Sequence, residues 1–302
     1  MSRLLDALAA GRVLLMDGAM GSELQRAGMP PGACYEHWNL SRPAQVRAIH
    51  QAYVTAGAQV LLTNTFQANS TALAKHGLER QLEQILEAGV TLARSVEGAT
   101  PFVLADVGPV PPEVSSRHRV DWRWLECWGA AVGRVDGILL ETFSNQDAFA
   151  AAEFLRECGP VRDIPVLLSF AFLAGPLDIQ TLAGQTPEEV AAQSHRAGAA
   201  ALGVNCGREI DMTDVIEIIR RYRQATDLPL FARPNAGTPV SVGGQWVYPI
   251  MHERMVSCLP ELLAVGITMF GGCCGTTPEH IAACRPLIDQ WNARRAAKET
   301  LP

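Results

Sequence analysis

Long apolar runs are missing from this chain. No stretch approaches the ~18 consecutive apolar residues that a membrane span requires, and Ser2 to Ala10 has none of the apolar character of a secretory leader. Excess positive charge is missing too: 25 Lys and Arg stand against 31 Asp and Glu, a formal charge of -6. That balance argues against nucleic acid or an anionic membrane as a main partner. Low-complexity linkers and breaks in composition are absent, and the seven histidines show no metal-ligand spacing. What is left is the profile of a compact cytoplasmic enzyme, 302 residues long and 48% hydrophobic.

Cysteine is sparse, with eight in the chain, and three of them are placed unlike the rest. Cys206 sits in Gly-Val-Asn-Cys-Gly, and Cys273 and Cys274 are adjacent in Gly-Gly-Cys-Cys-Gly-Thr, each group directly after a strand-like run. If the two strand ends lie side by side, three thiolates converge and leave a fourth coordination position open, the pattern of a Zn²⁺ site built for chemistry. The competing readings are a buried reduced thiol cluster and a redox dithiol. Cys34, Cys127, Cys158, Cys258 and Cys284 have no glycine-rich setting and read as small buried apolar residues. A reducing compartment follows, where clustered cysteines bind metal or catalyse more often than they form disulfides.

Eight apolar runs alternate with helical patterns: Val13–Leu15, Gln59–Leu62, Phe102–Asp106, Gly137–Leu140, Pro165–Phe170, Ala200–Val204, Leu230–Ala232 and Gly266–Phe270. Strict alternation eight times over predicts an α/β fold, a single (β/α)8 TIM-type barrel spanning residues 1–302 as one domain. Periodicity alone also allows an open doubly wound sheet. Helix start signals recur, as in Thr186-Pro187-Glu188-Glu189 and Thr277-Pro278-Glu279. Polar or metal-binding residues follow all eight runs, where such barrels carry their chemistry.

The motifs Asp17-Gly18-Ala19-Met20-Gly21, Asn64-Thr65-Phe66, Leu140-Glu141-Thr142-Phe143, Val204-Asn205-Cys206, Pro234-Asn235-Ala236-Gly237 and Gly271-Gly272-Cys273-Cys274-Gly275-Thr276 resemble the homocysteine S-methyltransferase family in composition and order. The resemblance runs from Leu14 to about Ile288. Pro234 to Gly237 followed by Val247-Tyr248-Pro249 is most similar to the homocysteine-binding barrel of cobalamin-dependent methionine synthase, whose folate, corrinoid and reactivation modules find no room in 302 residues. The resemblance implies a zinc-dependent methyl transfer to L-homocysteine, giving methionine. It implies that Asp17 and Glu141 hold the substrate amino group, that the turn at Gly18 and Ala19 receives its carboxylate, and that Asn235 lends zinc an oxygen ligand.

The residues support the same chemistry. A free thiol of pKa ~8.5 is mostly protonated at neutral pH, and coordination removes the proton. Glu141 ends an apolar run, where a lone carboxylate is costly unless it has a partner; Asp17 also reads as a turn cap and Asn235 as an ordinary turn residue. The methyl donor stays open between S-methylmethionine, S-adenosylmethionine and a methyl-corrinoid protein, because the segment at 110–119 departs from the family's longer tyrosine-containing loop. Another small thiol as acceptor, or a sensor barrel that binds thiols without turnover, are the alternatives. Asn64, Thr65 and Asn69 serve as caps or pocket walls. Trp122, Trp124 and Trp128 share no stripe at α-helical spacing and are expected to pack.

Overall fold

The computed structural model describes residues 2–30, 32–111, 120–157, 161–175, 178–207, 209–238, 240–242, 245–249 and 251–299. Eight parallel strands form one sheet: β1 (Leu14–Leu15), β2 (Val60–Leu62), β3 (Phe102–Val107), β4 (Gly137–Phe143), β5 (Val166–Phe170), β6 (Ala201–Asn205), β7 (Leu230–Arg233) and β8 (Ile267–Phe270). Their order is β1-β8-β7-β6-β5-β4-β3-β2. A parallel bridge from Met16 to Val60 joins the two ends, with the Gln59 N–H donating to the Leu15 carbonyl at 2.6 Å and that of Asp17 to Val60 at 2.9 Å. The ring is thereby closed, and the open-sheet alternative falls.

Around the strands lie α1 (Pro43–Thr55), α2 (Leu82–Arg94), α3 (Asp147–Glu157), α4 (Pro187–Arg196), α5 (Met212–Ala225), α6 (His252–Val265) and α7 (Pro278–Glu299). Thr186 caps α4 in a full capping box with Glu189, and Pro187 takes the first turn, as its sequence predicts. The Thr277 hydroxyl instead meets His280 Nδ1 at 3.0 Å. Between β3 and β4 the expected α-helix is replaced by a 3₁₀ helix over Trp122–Trp128 and a short turn of α-helix over Gly129–Val132. At three residues per turn, Trp122, Leu125 and Trp128 fall on one face, and all three are buried. Trp122 and Trp128, which share no α-helical stripe, share a 3₁₀ one, and Trp124 lies off it.

Alternation along the strands separates two cores. Val60, Leu62, Leu104, Leu139, Leu167, Phe231 and Met269 fill the barrel interior, while Leu61, Ala105, Leu140 and Leu168 face the helices. Each fully buried Leu contributes roughly 1.5–3 kcal/mol. Gly203 on β6 must stay bare, since a Cβ there would stand 2.2 Å from the Phe231 ring. A helix that the sequence pattern did not reveal, Arg3–Ala9, puts Leu4 and Leu8 into the interior cluster and leans Leu4 toward Gly137 at the start of β4. The amino end of the barrel is plugged, which leaves the carboxyl end for the site.

One buried group in α1 makes stability depend on pH. His50 is fully buried, neither ring nitrogen has a hydrogen-bond partner, and burial lowers its pKa to about 4. The unfolded chain, with His near 6.5, binds the proton more readily over that window. Stability is therefore retained above pH 6.5 and lost as pH falls toward 4, by about 3 kcal/mol from this residue. Urea unfolding at pH 7 and pH 4.5 should show the loss, and His50→Leu should abolish that part of it; an equal pH dependence in the variant would refute the assignment.

Candidate functional site

At the carboxyl ends of the strands a cavity of 270 Å³ is lined from every strand exit except that of β5. Asp17, Gly18 and Ala19 come from β1, Asn64 and Thr65 from β2, Asp106 from β3, Glu141 and Thr142 from β4, Cys206 from β6, Arg233 from β7, and Cys273 and Cys274 from β8. Every sequence-predicted site residue except Asn235 is on its wall. Asn235 stands just behind, donating from Nδ2 to Cys206 Sγ at 3.6 Å.

The three cysteines meet, although the strands that carry them are not side by side: β7 lies between β6 and β8. Their Sγ atoms lie within 4.8 Å of one another, and Cys274 is 4.0 Å from both Cys206 and Cys273. Tetrahedral coordination with Zn–S near 2.3 Å needs sulfurs about 3.8 Å apart, so a metal fits with small adjustments. Donation from the Cys273 and Cys274 thiols holds the Cys206 thiol far below its ordinary range, while those same hydrogen bonds to Cys206, with burial and charge repulsion added, hold the other two above it. A cation among them would relieve that conflict. The Asn235 Oδ1 is buried without a partner. Turned about its last bond, the amide would offer that oxygen beside Cys206, and the choice between the two orientations rests on hydrogen bonding.

Strained backbone carries two of these positions. Cys206 has φ 51° and Thr142 φ 63°, left-handed values that are costly for residues with a Cβ and most of all for a β-branched one. Asn205, fully buried, connects them. Its Nδ2 donates to Thr142 Oγ1 at 2.6 Å and to Cys273 Sγ at 3.6 Å, and its Oδ1 accepts from Ser169 Oγ at 2.5 Å and from the Thr142 N–H at 3.2 Å. Ser169 thus reaches the site through Asn205. Gly18 allows the first loop to pass the last, since a Cβ there would stand 2.7 Å from Thr276 Oγ1 and 2.8 Å from the Tyr53 hydroxyl. The Tyr53 hydroxyl ties both loops by donating toward the carbonyls of Ala19 and Thr276.

Opposite the sulfurs is a buried charge cluster. Arg233 donates from Nη1 to Asp17 Oδ1 at 2.8 Å and from Nε to Glu141 Oε1 at 3.3 Å. The second Asp17 oxygen accepts from the Leu62 N–H at 2.8 Å. Burial pushes Glu141 up to about 8, the Cys273 charge adds to the rise, and Arg233 opposes it. Burial likewise raises Asp17 and Asp106 against the pull of Arg233. Asp17 caps no helix, since the following helix Met20–Arg26 has Ala19 at its N-cap without a side-chain bond. The Ala19 N–H donates to Thr276 Oγ1 at 3.1 Å, so that amide is engaged within the protein.

Arg233, Asp106 and Asn205 have no role in the sequence reading. Arg233 ends the apolar run Leu230-Phe231-Ala232, the same signal that singles out Glu141, and a buried guanidinium needs carboxylates nearby. Of the remaining candidates, Asn69 caps the helix Ser70–Ala74 through the Ala72 N–H, and Asn64 braces the wall against Asn39 and the Tyr35 carbonyl. Cys258 and Cys284 are buried and Cys34 and Cys127 partly so, which agrees with packing; Cys158 and residues 112–119 lie outside the described residues. None of the described helices is long and apolar enough to cross a membrane.

Comparison with known proteins converges on one assignment. The profile of the homocysteine S-methyltransferase family matches residues 14–288. The chain belongs to this family. Methionine synthase of Mycobacterium leprae is 30% identical over 96% of the chain, and that of Mycobacterium tuberculosis 30% over 92%. The chain spans about a quarter of those relatives' length, 25% in both cases. The homocysteine methyltransferase MmuM of Escherichia coli in its metallated form superposes with a TM-score of 0.72 at 25% identity, covering 91% of this chain and 96% of that one. As a family member, the chain brings to the site a cysteine group able to hold a metal, in a fold shared with MmuM.

Proposed function

We propose that this homocysteine S-methyltransferase-family barrel acts as one domain that binds zinc through Cys206, Cys273 and Cys274 and transfers a methyl group to L-homocysteine, giving methionine. The observation that carries the proposal is the convergence of three sulfurs from two strand ends on the wall of a cavity that also holds Asp17, Asp106 and Glu141. Zinc held there would supply deprotonation, letting an acceptor thiol of pKa ~8.5 stand as a thiolate at neutral pH.

The chain's own residues supply position and electrostatics. Asn205 donates to Cys273 Sγ and fixes its direction. Asp17 and Glu141, with Arg233 between them, give the opposite wall the negative charge that a substrate ammonium needs, while the turn at Gly18 and Ala19 lines the side assigned to its carboxylate. Asn235 Oδ1 is the oxygen available while no acceptor is present. The cavity walls exclude water and hold the sulfur in line with the incoming methyl group, where alignment lowers the barrier most. The donor is S-methylmethionine, S-adenosylmethionine or a methyl-corrinoid protein; turnover assayed with each, the last on a separate protein, identifies it.

Zinc-edge X-ray absorption of the purified protein tests the proposal. Three sulfur neighbours near 2.3 Å are expected without L-homocysteine and four with it. A count that stays at three at saturating homocysteine would exclude direct thiol coordination.

A further inference from the structure

Four carboxyl groups line the cavity, and they differ in what already occupies them. Glu36 accepts the Gln67 N–H at 2.8 Å on one oxygen and meets the Cys34 thiol at 3.4 Å on the other. Both Asp17 oxygens are taken, by Arg233 and by the Leu62 N–H. Glu141 has one oxygen on Arg233 at the longer distance of 3.3 Å. Asp106 is the exception: it is buried, with 6% of its surface exposed, lines the cavity, and leaves Oδ1 without any partner.

An acceptor-only oxygen buried without a donor is destabilising by about 1–3 kcal/mol, more if the group is charged. Its backbone is not the cause of its placement, because that is anchored independently: the Asp106 N–H donates to Thr63 Oγ1 at 3.0 Å and its carbonyl accepts from Thr65 Oγ1 at 2.7 Å. Without Glu36, the cavity has three carboxyls against one guanidinium, so its ionised form carries two negative charges in excess. An incoming cation with N–H donors answers both the excess and the orphaned oxygen.

We infer that the substrate ammonium is received by Asp106 together with the free side of Glu141, and that Asp17 acts as a positioning residue that holds Arg233. The inference rests on the proposed homocysteine reading and revises one assignment within it. Arg233 then serves as a resident counter-ion that orients Glu141 and prevents three carboxylates from repelling one another. Burial and the Glu141 charge raise Asp106 in the empty cavity, and an ammonium beside it reverses both effects.

The test pairs two acceptors that differ by the amino group alone, L-homocysteine and 4-mercaptobutanoate, on the zinc-loaded protein. Asp106→Asn keeps the shape and removes the charge. It is expected to raise the homocysteine KM about tenfold or more, with a smaller effect on kcat, and to narrow the preference for homocysteine over 4-mercaptobutanoate by the same factor. Zinc content and calorimetric homocysteine binding are read alongside. A preference that survives Asp106→Asn overturns the inference. Should the variant not fold, a crystal structure of the unaltered protein with homocysteine decides: nitrogen within hydrogen-bond distance of either Asp106 carboxylate oxygen supports it, and nitrogen on Asp17 with Arg233 displaced overturns it. If the unaltered protein binds no homocysteine by calorimetry, the homocysteine reading fails and the inference falls with it.

Discussion

Cys273→Ala is expected to strip the barrel of zinc and to lower methyl transfer by more than about 10²-fold, beyond the ~10–100-fold that loss of an outer hydrogen-bond partner of a metal ligand costs. The effect should be large because two sulfurs remain where three converge, and because Cys273 is the buried one of the group, held by Asn205. The barrel itself should survive, since its interior and outer cores are built from other residues. Competition with a chromophoric chelator gives the zinc affinity, and turnover with each donor gives the rate. A variant that retains stoichiometric zinc and turns over at more than a tenth of the original rate would remove Cys273 from the site.

Arg233→Met should be the most destabilising change in the cavity wall. The guanidinium is 3% exposed and is the cation paired with both Asp17 and Glu141; without it Asp17 keeps the Leu62 N–H and Glu141 loses its ion pair. Breaking a buried pair by removing one partner costs roughly 3–5 kcal/mol. The sign of the pH dependence follows from Glu141, already raised to about 8. A carboxyl raised in the folded state binds its proton more readily there, so its contribution is favourable below the unfolded value near 4.5 and is lost as pH rises through 8. Removing Arg233 raises Glu141 and Asp17 further. Urea unfolding should therefore show a larger deficit at about pH 9.5 than at about pH 6, since the two proteins diverge only above the Glu141 value of about 8, and a deficit that is small or independent of pH would mean that the cluster is solvated or unpaired.

The contrast between Glu141 and Arg233 shows how far a single sequence can be read. Both are lone charges at the end of apolar runs, yet only Glu141 falls in a motif that points to a partner. The identity of the group it pairs with depends on which strand exits face each other across the barrel, 92 residues apart in the chain. Asp106 was legible as a polar strand exit, but its orphaned oxygen is a property of the surroundings. The 3₁₀ helix at Trp122–Trp128 escaped for a different reason. Local period alone separates three residues per turn from 3.6, and over seven residues the two patterns part clearly only at Trp128.

By itself the sequence determined the eight strands and their alternation with helices, the segments that carry the cysteines, and membership of a family with a known arrangement of motifs, because hydrophobic alternation, helix-start chemistry and motif order are local. Only the tertiary structure decided what those motifs face. Closure between Met16 and Val60 brings the first loop beside the last, and the helix Arg3–Ala9 fills the opposite end. Arg233 then lies between Asp17 and Glu141, with both Asp17 oxygens occupied and Asp106 Oδ1 left without a partner. The reason is physical: a charge in a low-dielectric interior is governed by the groups within a few ångströms of it, and those come from strands far apart in the chain.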